Sequence, residues 1–327
     1  MTTEPQGPPA AGGAPPRGSA SPIAVVIPAY NSAGTLNAAL ASIAAQTHPP
    51  AAVVVGDDHS EDGTSELARR WQGLLPLEVV RLERNSGPAA ARRAAMAGVD
   101  APLIALLDAD DVWLPDHLES AARLHARAGG IVCADALRWR PGKGVHAATH
   151  RDHFPIPPGD RQVLDILRHN FVSIGALFPR RAYDEAGGFR DGVPGAEDWD
   201  LWIRMIRNGL RVQGIPAPTL LYRVDSSGLS HRTDIFDTYV RVLEWAMNEA
   251  GDDDQRAAAL AGLNWMKGRR ALASAYAAAR DQRGWKARIA AARCLIGPPR
   301  MALEAALLLA SPSFAVRLGD AARRRRW

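Results

Sequence analysis

The 327-residue sequence predicts an α/β protein, in which a mixed sheet is flanked by helices and followed by an α-helical C-terminal extension. Short, nearly continuous apolar runs alternate three times with segments that repeat apolar residues every three or four positions. The runs are typical of strands buried on both faces, and the repeats are typical of helices that cover them. Such an alternation is characteristic of βαβ units with right-handed crossovers.

The strands and helices follow from where the apolar patterns start and stop. Strands are predicted at Ile23–Ile27, Val53–Val55, Leu77–Leu82, the run from Leu103, Ile131–Ala134, Phe171–Phe178, Leu210–Ile215 and Thr219–Val224. Helices are predicted at Thr35–Gln46, Leu118–Ala128, Thr238–Asn248, Asp254–Arg280, Trp285–Leu295 and Met301–Ala310. Three more are predicted by one end only: one ends at Gln72, one ends at Val99 and one begins at Glu197. Residues 138–160 are predicted to form a loop-rich insertion.

Composition narrows the class of protein. Hydrophobic residues make up 47% of the chain and charged residues 23%, as in folded globular proteins. The two cysteines, Cys133 and Cys294, lack partners at metal-ligand spacing, which favours a reducing compartment. No apolar run reaches the ~18 residues that span a bilayer, and the N-terminus lacks an apolar signal core. We therefore expect a cytoplasmic protein.

Composition and charge also divide the chain into three parts. Residues 1–21 are rich in Pro, Gly and Ala and are predicted to form a disordered leader. Residues 22–231 contain the sheet domain, and residues 232–327 are predicted to be an α-helical region with a basic tail. The chain before Arg232 has a net charge of −3, and the rest has +7, from 17 Lys and Arg against 10 Asp and Glu. The acidic front part argues against a nucleic-acid partner.

Three carboxylates follow the predicted central strand. The segment LIALLDADD, Leu103–Asp111, ends in Asp108, Asp110 and Asp111. Ligands of open α/β sheets bind at the carboxyl ends of the strands. Clustered carboxylates repel each other unless a cation or hydrogen-bond donors offset their charge, and a hard divalent cation is the usual solution. The alternative is a solvated acidic turn.

A second acidic motif, GDDHSEDGT, follows the second strand. Its Asp57 and Asp58 reach the same sheet edge as the first cluster if the strands are parallel. Tyr30 follows the first strand, and its ring could stack on a nucleotide base. The two carboxylates could accept hydrogen bonds from ribose hydroxyls or from an N–H of the base, so the three residues together suit a nucleotide. The alternative is a polar turn that caps a helix, a role that Ser60 and Thr64 would fit.

These motifs together resemble the family 2 glycosyltransferases, whose nucleotide-diphospho-sugar-binding fold is called GT-A. The resemblance is carried by VVIPAYN at Val25–Asn31, VVVGDDHSEDGT at Val53–Thr64 and LLDADDVWLPDHL at Leu106–Leu118, and it covers roughly residues 23–230. His59 stands where most members have glycine, so the local turn is expected to differ.

The resemblance implies roles on the donor side. Tyr30 would stack on the base, Asp58 would bond the base edge, and Asp108 would face the ribose. Asp110 would hold Mn²⁺ or Mg²⁺ on the diphosphate. Further predicted nucleotide contacts are Pro28, Asn31, Asp57 and Arg92.

A third acidic motif, EDWDLW, opens the helix that begins at Glu197. Carboxylates in a first helical turn are stabilised by free backbone N–H groups, which is the structural alternative. The resemblance implies that Asp198 is the catalytic base and that Glu197, Trp199 and Asp200 orient it or the acceptor. Proton removal by a carboxylate contributes ~10²–10⁴-fold to rate. A single base opposite a metal-bound diphosphate fits one in-line displacement, which inverts the anomeric carbon.

Two basic segments follow. In YRVDSSGLSHR, Arg223 and His231 are candidates for a loop that closes over the diphosphate. Asp225 stands where relatives often have histidine, and a carboxylate there would repel phosphate. Met301–Trp327 combines an apolar helix with a cationic cluster, so it is expected either to dock on an anionic membrane face or to pack as a helix with a solvated tail.

The predicted function is that of an inverting, metal-dependent glycosyltransferase with a nucleotide-diphosphate sugar, in the first place a UDP-sugar, as donor. By resemblance, its acceptor is a saccharide or lipid-linked molecule in cell-surface polysaccharide synthesis. Two alternatives stay open: a sugar-nucleotide nucleotidyltransferase, although PAYNSAG lacks the cations of such enzymes, and a non-catalytic module of the same fold. A dinucleotide-binding dehydrogenase would need G-x-G-x-x-G after the first strand, which PAYNSAG does not provide.

Overall fold

The computed structural model describes residues 21–173, 175–224, 235–280, 291, 299–311 and 315–316. The predicted leader up to residue 20, His231 with its loop, most of the predicted helix Trp285–Leu295 and the basic tail lie outside these residues. Among the helices in the described part, none has both the length and the apolar character that a membrane span requires.

One mixed sheet organises the described part of the chain. Its strands are β1 Ile23–Ala29, β2 Ala52–Asp57, β3 Leu77–Arg81, β4 Leu103–Leu106, β5 Val112–Trp113, β6 Ile131–Arg140, β7 Gly144–Thr149, β8 Ala176–Pro179 and β9 Val212–Arg223. They lie in the order β3-β2-β1-β4-β8-β6-β9-β5, and β7 pairs with β6 off this path. The first four are mutually parallel, whereas β8 runs antiparallel between β4 and β6.

Helices cover the sheet and continue beyond it. They are α1 Leu36–Ala44, α2 Thr64–Arg69, α3 Pro88–Ala97, α4 His117–Ala128, α5 His150–His153, α6 Gln162–Ile166, α7 Arg180–Glu185, α8 Glu197–Arg207, α9 Ile235–Asn248, α10 Asp253–Arg280 and α11 Pro299–Ala310. The predicted α/β class with a mixed sheet and a helical C-terminal region is therefore confirmed.

The structure corrects the prediction for the two closing strands. They form the single strand β9, which runs through Pro216 and Pro218. The parallel register with β6 shifts between Cys133 and Asp135, opposite this Pro-containing part. A proline has no N–H to donate, and a bulge is one of the places where a strand tolerates it. The two prolines therefore bend the strand without ending it.

Two further segments differ from their predictions. The strand predicted from Phe171 begins only at Ala176, because the Ser173 hydroxyl, rather than a backbone N–H, donates to the Ala134 carbonyl at 2.7 Å. The insertion at residues 138–160 is not mainly loop. It contains the end of β6, a turn at Gly142 with a φ of 74°, strand β7 and helix α5.

The parallel pairing of β1 with β2 and β4 determines where the site forms. Ala29 pairs with Asp57 at the end of the first pair, and Val26 pairs with Leu106 near the end of the second. The loops that follow the three strands therefore leave the sheet at one edge. This is the edge at which open α/β sheets bind ligands.

Two apolar clusters lie on the two faces of the sheet. Val25 and Ile27 enter the cluster under α1 and α4, while Ala24 and Val26 enter the cluster under α8. The second cluster also contains buried residues of α9 and α10, including Leu243. This cluster thus contains residues from both sides of residue 231, whereas the later part of α10 and α11 form a separate small cluster. The domain boundary at residue 231 stays a prediction.

Removing the side chain of Leu243 tests this shared core. Because Leu243 is fully buried, Leu243→Ala is expected to lower the free energy of unfolding by ~2–5 kcal/mol. Urea unfolding followed by circular dichroism should show one transition with a lower midpoint. Leu260→Ala, at a position on α10 that is 46% exposed, is the control and should change stability by no more than ~0.5 kcal/mol. Loss of the helical region alone, with the sheet domain unchanged, would contradict a shared core.

Candidate active site

Hydrogen bonds between the loops after β1 and β2 hold Tyr30 at the surface. Asn31 has a left-handed φ of 47°, and its backbone N–H donates to Ser60 Oγ at 2.9 Å. Asn31 Oδ1 accepts from the Glu61 N–H at 3.0 Å. Tyr30 is 52% exposed, and Pro28 lies partly buried in β1. An exposed ring on a fixed turn is suited to stacking, and the predicted contacts of these residues with a base stay predictions.

Asp57, the last residue of β2, is fully buried. Its carboxylate accepts from the Ser60 N–H at 2.9 Å, from the Ser65 hydroxyl and from Arg81 Nη1 at 2.8 Å. Burial alone would raise the pKa of Asp57, but the hydrogen bonds from Ser60 and Ser65 and the Arg81 charge outweigh burial and lower the pKa. The Asp57 side chain therefore holds the loop from inside, and its predicted nucleotide contact stays a prediction.

Asp58 is 3% exposed and holds the next loop along the edge. Its two oxygens accept the N–H groups of Ser86 and Gly87, both at 2.7 Å. A carboxylate oxygen has two acceptor positions, so the bond to a base edge stays a prediction. His59 has a φ of 64°, a conformation that is easier for glycine, and its Nδ1 lies 3.2 Å from the Leu82 carbonyl oxygen. The backbone at position 59 is thus left-handed, although the residue there is histidine and not glycine.

Asp108, Asp110 and Asp111 form an acidic cluster after β4. One carboxylate oxygen from each residue lies within 4.8 Å of the other two. Asp111 is 1% exposed, and its Oδ1 accepts the Arg223 N–H at 2.8 Å, whereas its Oδ2 is buried without a hydrogen-bond partner among the residues that the structure describes. Burial, with the charges of Asp108 and Asp110, raises the pKa of Asp111 well above its ordinary value. An oxygen-rich, electron-donating set of this kind fits a hard divalent cation such as Mn²⁺ or Mg²⁺.

Arg223, at the end of β9, lies beside this cluster. Its Nε donates to the Asp110 backbone oxygen at 3.3 Å, and its guanidinium lies over the Trp139 ring, 4.7 Å from the ring centroid. A guanidinium next to a cation site is suited to binding phosphate. The predicted diphosphate contact of Arg223 stays a prediction, and that of His231 falls outside the described residues.

A buried arginine connects this cluster with the third acidic motif. Arg92 Nη2 donates to Asp108 Oδ1 at 2.7 Å, and Nη1 donates to Glu197 Oε1. Burial alone would lower the pKa of Arg92, but Glu197 and Asp108 outweigh burial and raise it above its ordinary value. Arg92 is 4% exposed and paired with both carboxylates, and its predicted nucleotide contact stays a prediction. We call the Asp108–Arg92–Glu197 contact the arginine bridge.

The arginine bridge holds the start of α8, which carries Asp198. Asp198 is half-buried, and its Oδ1 accepts the Trp199 N–H at 2.7 Å while its Oδ2 accepts from Asn170 Nδ2 at 3.3 Å. Burial, followed by repulsion from Glu197, raises the pKa of Asp198 to about 7. A carboxylate with a pKa near neutrality is suited to take a proton from a hydroxyl group.

The other residues of the third motif are buried and support α8. Trp199 is 1% exposed, and its Nε1 donates to the Ile166 carbonyl at 2.8 Å. Asp200 is 4% exposed and pairs with Arg204 at 2.5 Å. Both side chains are thus held by groups of α6 and α8, and their predicted role of orienting the base or the acceptor stays a prediction.

Sequence reasoning missed two residues near Asp198. Asn170 bonds its carboxylate, and Tyr239 of α9 packs edge-on against Trp199 with ring centroids 5.5 Å apart. Burial, followed by the Asp198 charge, raises the pKa of Tyr239. Neither residue belongs to a motif that could have revealed it, since each reaches the site through tertiary packing.

The fold and the site together define a class of protein. The mixed sheet with its flanking helices is the fold of the GT-A nucleotide-diphospho-sugar transferases. Two solved structures share this fold. TarS residues 1–349 of S. aureus, in complex with UDP-GlcNAc, gives a TM-score of 0.61 at 18% identity and covers 93% of this chain and 92% of that chain. The mannosyltransferase PcManGT of Pyrobaculum calidifontis, in complex with GDP-Man and Mn²⁺, gives a TM-score of 0.58 at 22% identity. It covers 93% of this chain and 89% of that chain.

Sequence comparison identifies the family. The family model described as glycosyl transferase family 2 matches residues 24–187, half of the chain. The succinoglycan biosynthesis protein ExoU of Rhizobium meliloti (strain 1021) is 32% identical over 225 residues, which span 64% of this chain and 65% of ExoU. The chain belongs to the family 2 glycosyltransferases.

The arginine bridge can be tested by removing its charge. Arg92→Met leaves the buried Glu197 carboxylate without its cation, so the free energy of unfolding should fall by ~3–5 kcal/mol. Arg93→Met is the control at the neighbouring position, where the ion pair with Asp191 is exposed and contributes no more than ~1 kcal/mol. Chemical unfolding of both variants measures the difference. Equal stability of the two variants would show that the bridge does not hold α8.

Proposed function

We propose that this glycosyltransferase transfers a sugar from a UDP-sugar to a saccharide or lipid-linked acceptor, with inversion of the anomeric carbon and with help from Mn²⁺ or Mg²⁺. The observation that carries the proposal is the arginine bridge. It connects the acidic cluster, which suits a cation-bound diphosphate, with the start of the helix that carries a half-buried carboxylate of pKa about 7. Sugar transfer needs a stabilised leaving group and a base at one site.

Relatives support the donor class and the biological setting. ExoU is named for succinoglycan biosynthesis, and the solved structures contain UDP-GlcNAc in TarS and GDP-Man with Mn²⁺ in PcManGT. Nucleotide-diphosphate sugars are therefore the donors to test first. We propose assembly of a cell-surface polysaccharide as the setting.

On the donor side, the proposal assigns stacking of the base to Tyr30 and a bond to the base edge to Asp58. Asp110, in the cluster with Asp108 and Asp111, would hold the divalent cation, which when bound neutralises charge on the diphosphate, and Asp108 would face the ribose. Arg223, beside the acidic cluster, adds a second positive charge from the protein itself. These groups favour departure of the nucleoside diphosphate.

On the acceptor side, the ionised Asp198 carboxylate takes the proton of the acceptor hydroxyl. The acceptor oxygen forms a bond to the anomeric carbon while the bond from that carbon to the diphosphate oxygen breaks. The nucleoside diphosphate leaves with the electron pair. Attack opposite the leaving group inverts the carbon, and a single displacement of this kind uses no protein nucleophile.

The cation site is tested by Asp110→Ala. If Asp110 is a ligand of the cation, this variant should lose Mn²⁺-dependent binding of UDP in isothermal titration calorimetry while its unfolding curve stays close to that of the parent. Asp100→Ala, at an exposed carboxylate outside the site, is the control and should bind as the parent does. Unchanged UDP affinity and unchanged metal dependence in Asp110→Ala would overturn the donor assignment.

The proposed role of Asp198 predicts how the rate of the reaction depends on pH. The base must be ionised, so the rate of UDP release from UDP-sugars with Mn²⁺ should rise with pH and level off above about 7. Asp198→Asn keeps most hydrogen bonds but cannot take a proton, so it should bind UDP as the parent does and lose ~10²-fold or more in rate. Asp191→Asn, at a side chain 71% exposed, is the control. A rate within a few-fold of the parent would exclude Asp198 as the base.

A further inference from the structure

The loop between α6 and β8 brings Asn170 to the Asp198 carboxylate. Asn170 Oδ1 accepts the Val172 N–H at 3.1 Å, and Asn170 Nδ2 lies 3.3 Å from Asp198 Oδ2. A backbone N–H can only donate, so the amide atom that faces Val172 must be the oxygen. The atom that faces Asp198 is then the NH₂ group, which can only donate. The loop itself therefore determines the direction of this hydrogen bond.

The two oxygens of Asp198 are held by donors of different origin. Oδ1 accepts the N–H of the following residue, Trp199, at 2.7 Å, which belongs to α8 itself. Oδ2 accepts from the Asn170 amide at 3.3 Å, which belongs to the loop between α6 and β8. With one donor on each oxygen, rotation of the carboxylate group is restricted, and each oxygen keeps a second acceptor position for an incoming proton.

We propose that Asn170 is the positioning residue of the Asp198 base, which its amide holds in the orientation that meets the acceptor hydroxyl. This assignment rests on the proposed function, because it gives Asn170 a task only if Asp198 takes a proton during transfer. Asn170 acts through Asp198 and is not itself required to contact donor or acceptor. It extends the acceptor half of the site to a loop that contains none of the acidic motifs.

The charges around Asp198 show why an amide is suited to this position. Glu197 is on the same helix, Asp108 follows β4, and both raise the pKa of Asp198, while Arg92 of α3 lowers it. Tyr239 faces the same group from α9. A neutral NH₂ donor favours the ionised carboxylate without adding another charge to this group. A second carboxylate in its place would disfavour ionisation.

The test is Asn170→Asp, which keeps the oxygen that accepts from Val172 and replaces only the group that faces Asp198. We expect at least a tenfold lower kcat for UDP release from UDP-sugars with Mn²⁺. We also expect the midpoint of the pH–rate profile to move above that of the parent, with unchanged affinity for UDP and Mn²⁺. Asn170→Ala should also lower kcat, with a smaller shift of the midpoint because it adds no charge.

Asn37→Asp is the matched control. Asn37 is exposed on α1, under the opposite face of the sheet, and its Oδ1 accepts from Trp71 Nε1, so the same substitution keeps an acceptor and adds the same charge. It should leave both kcat and the pH midpoint unchanged. If Asn170→Asp folds as the parent does and also leaves both unchanged, the proposed role of Asn170 is overturned.

A second measurement separates this proposal from the proposed function. The pKa of Asp198 can be followed by carbon NMR of aspartate-labelled protein, with the resonance assigned by its loss in Asp198→Asn. An Asp198 pKa that is higher in Asn170→Asp than in the parent supports the contact, even if the protein turns over no nucleotide sugar. A lack of turnover would count against the proposed function alone. An unchanged Asp198 pKa would overturn the Asn170 assignment whatever the activity.

Discussion

A charged side chain inside a protein must be paired, and the buried guanidinium of Arg92 is the charge on which the site depends. Its two partners, Asp108 and Glu197, come from opposite halves of the sheet domain, and the Glu197 pair spans 105 residues of sequence. Helix α3 packs on β1 and β2, so the arginine bridge fixes the start of α8 relative to the parallel half of the sheet. The position of Asp198 follows from a buried ion pair as well as from the packing of its own helix.

The acidic residues of the site differ in environment, and their environments separate their tasks. Asp57 is buried, but hydrogen bonds and Arg81 keep its pKa low, so it behaves as a structural anion. Asp111 and Asp198 have raised pKa values, because burial and neighbouring carboxylates are not fully offset by protein donors. Groups left in this state at one sheet edge are characteristic of functional sites. A cation bound at the acidic cluster would relieve the repulsion at Asp111, and a proton would relieve that at Asp198.

Local patterns predicted much of the fold but only part of the site. The apolar runs and the turns after them located the parallel strands β1 to β4, their carboxyl edge and all three acidic motifs, but they did not reveal β5 or β7. Adjacent aspartates such as Asp57 and Asp58 look alike in sequence, and only the packed structure shows how each is paired. The pairing of Arg92 is not visible either, because its partners lie on separate elements. Pro216 and Pro218 indicate a strand end by local rules, yet the shift in register keeps β9 continuous.

The residues proposed for the acceptor side lie beyond the part of the chain that the family model matches. The family model ends at residue 187, before α8 begins, whereas Tyr30, Asp58 and the acidic cluster all fall within it. Trp199, next to the base, packs against Tyr239 of α9, and the same core continues into α10. Burial is the largest cause of the raised pKa of Asp198, and Tyr239 lies close enough for the Asp198 charge to raise its own pKa. If Asp198 is the base, as we propose, α9 would therefore influence the base without supplying a reacting group.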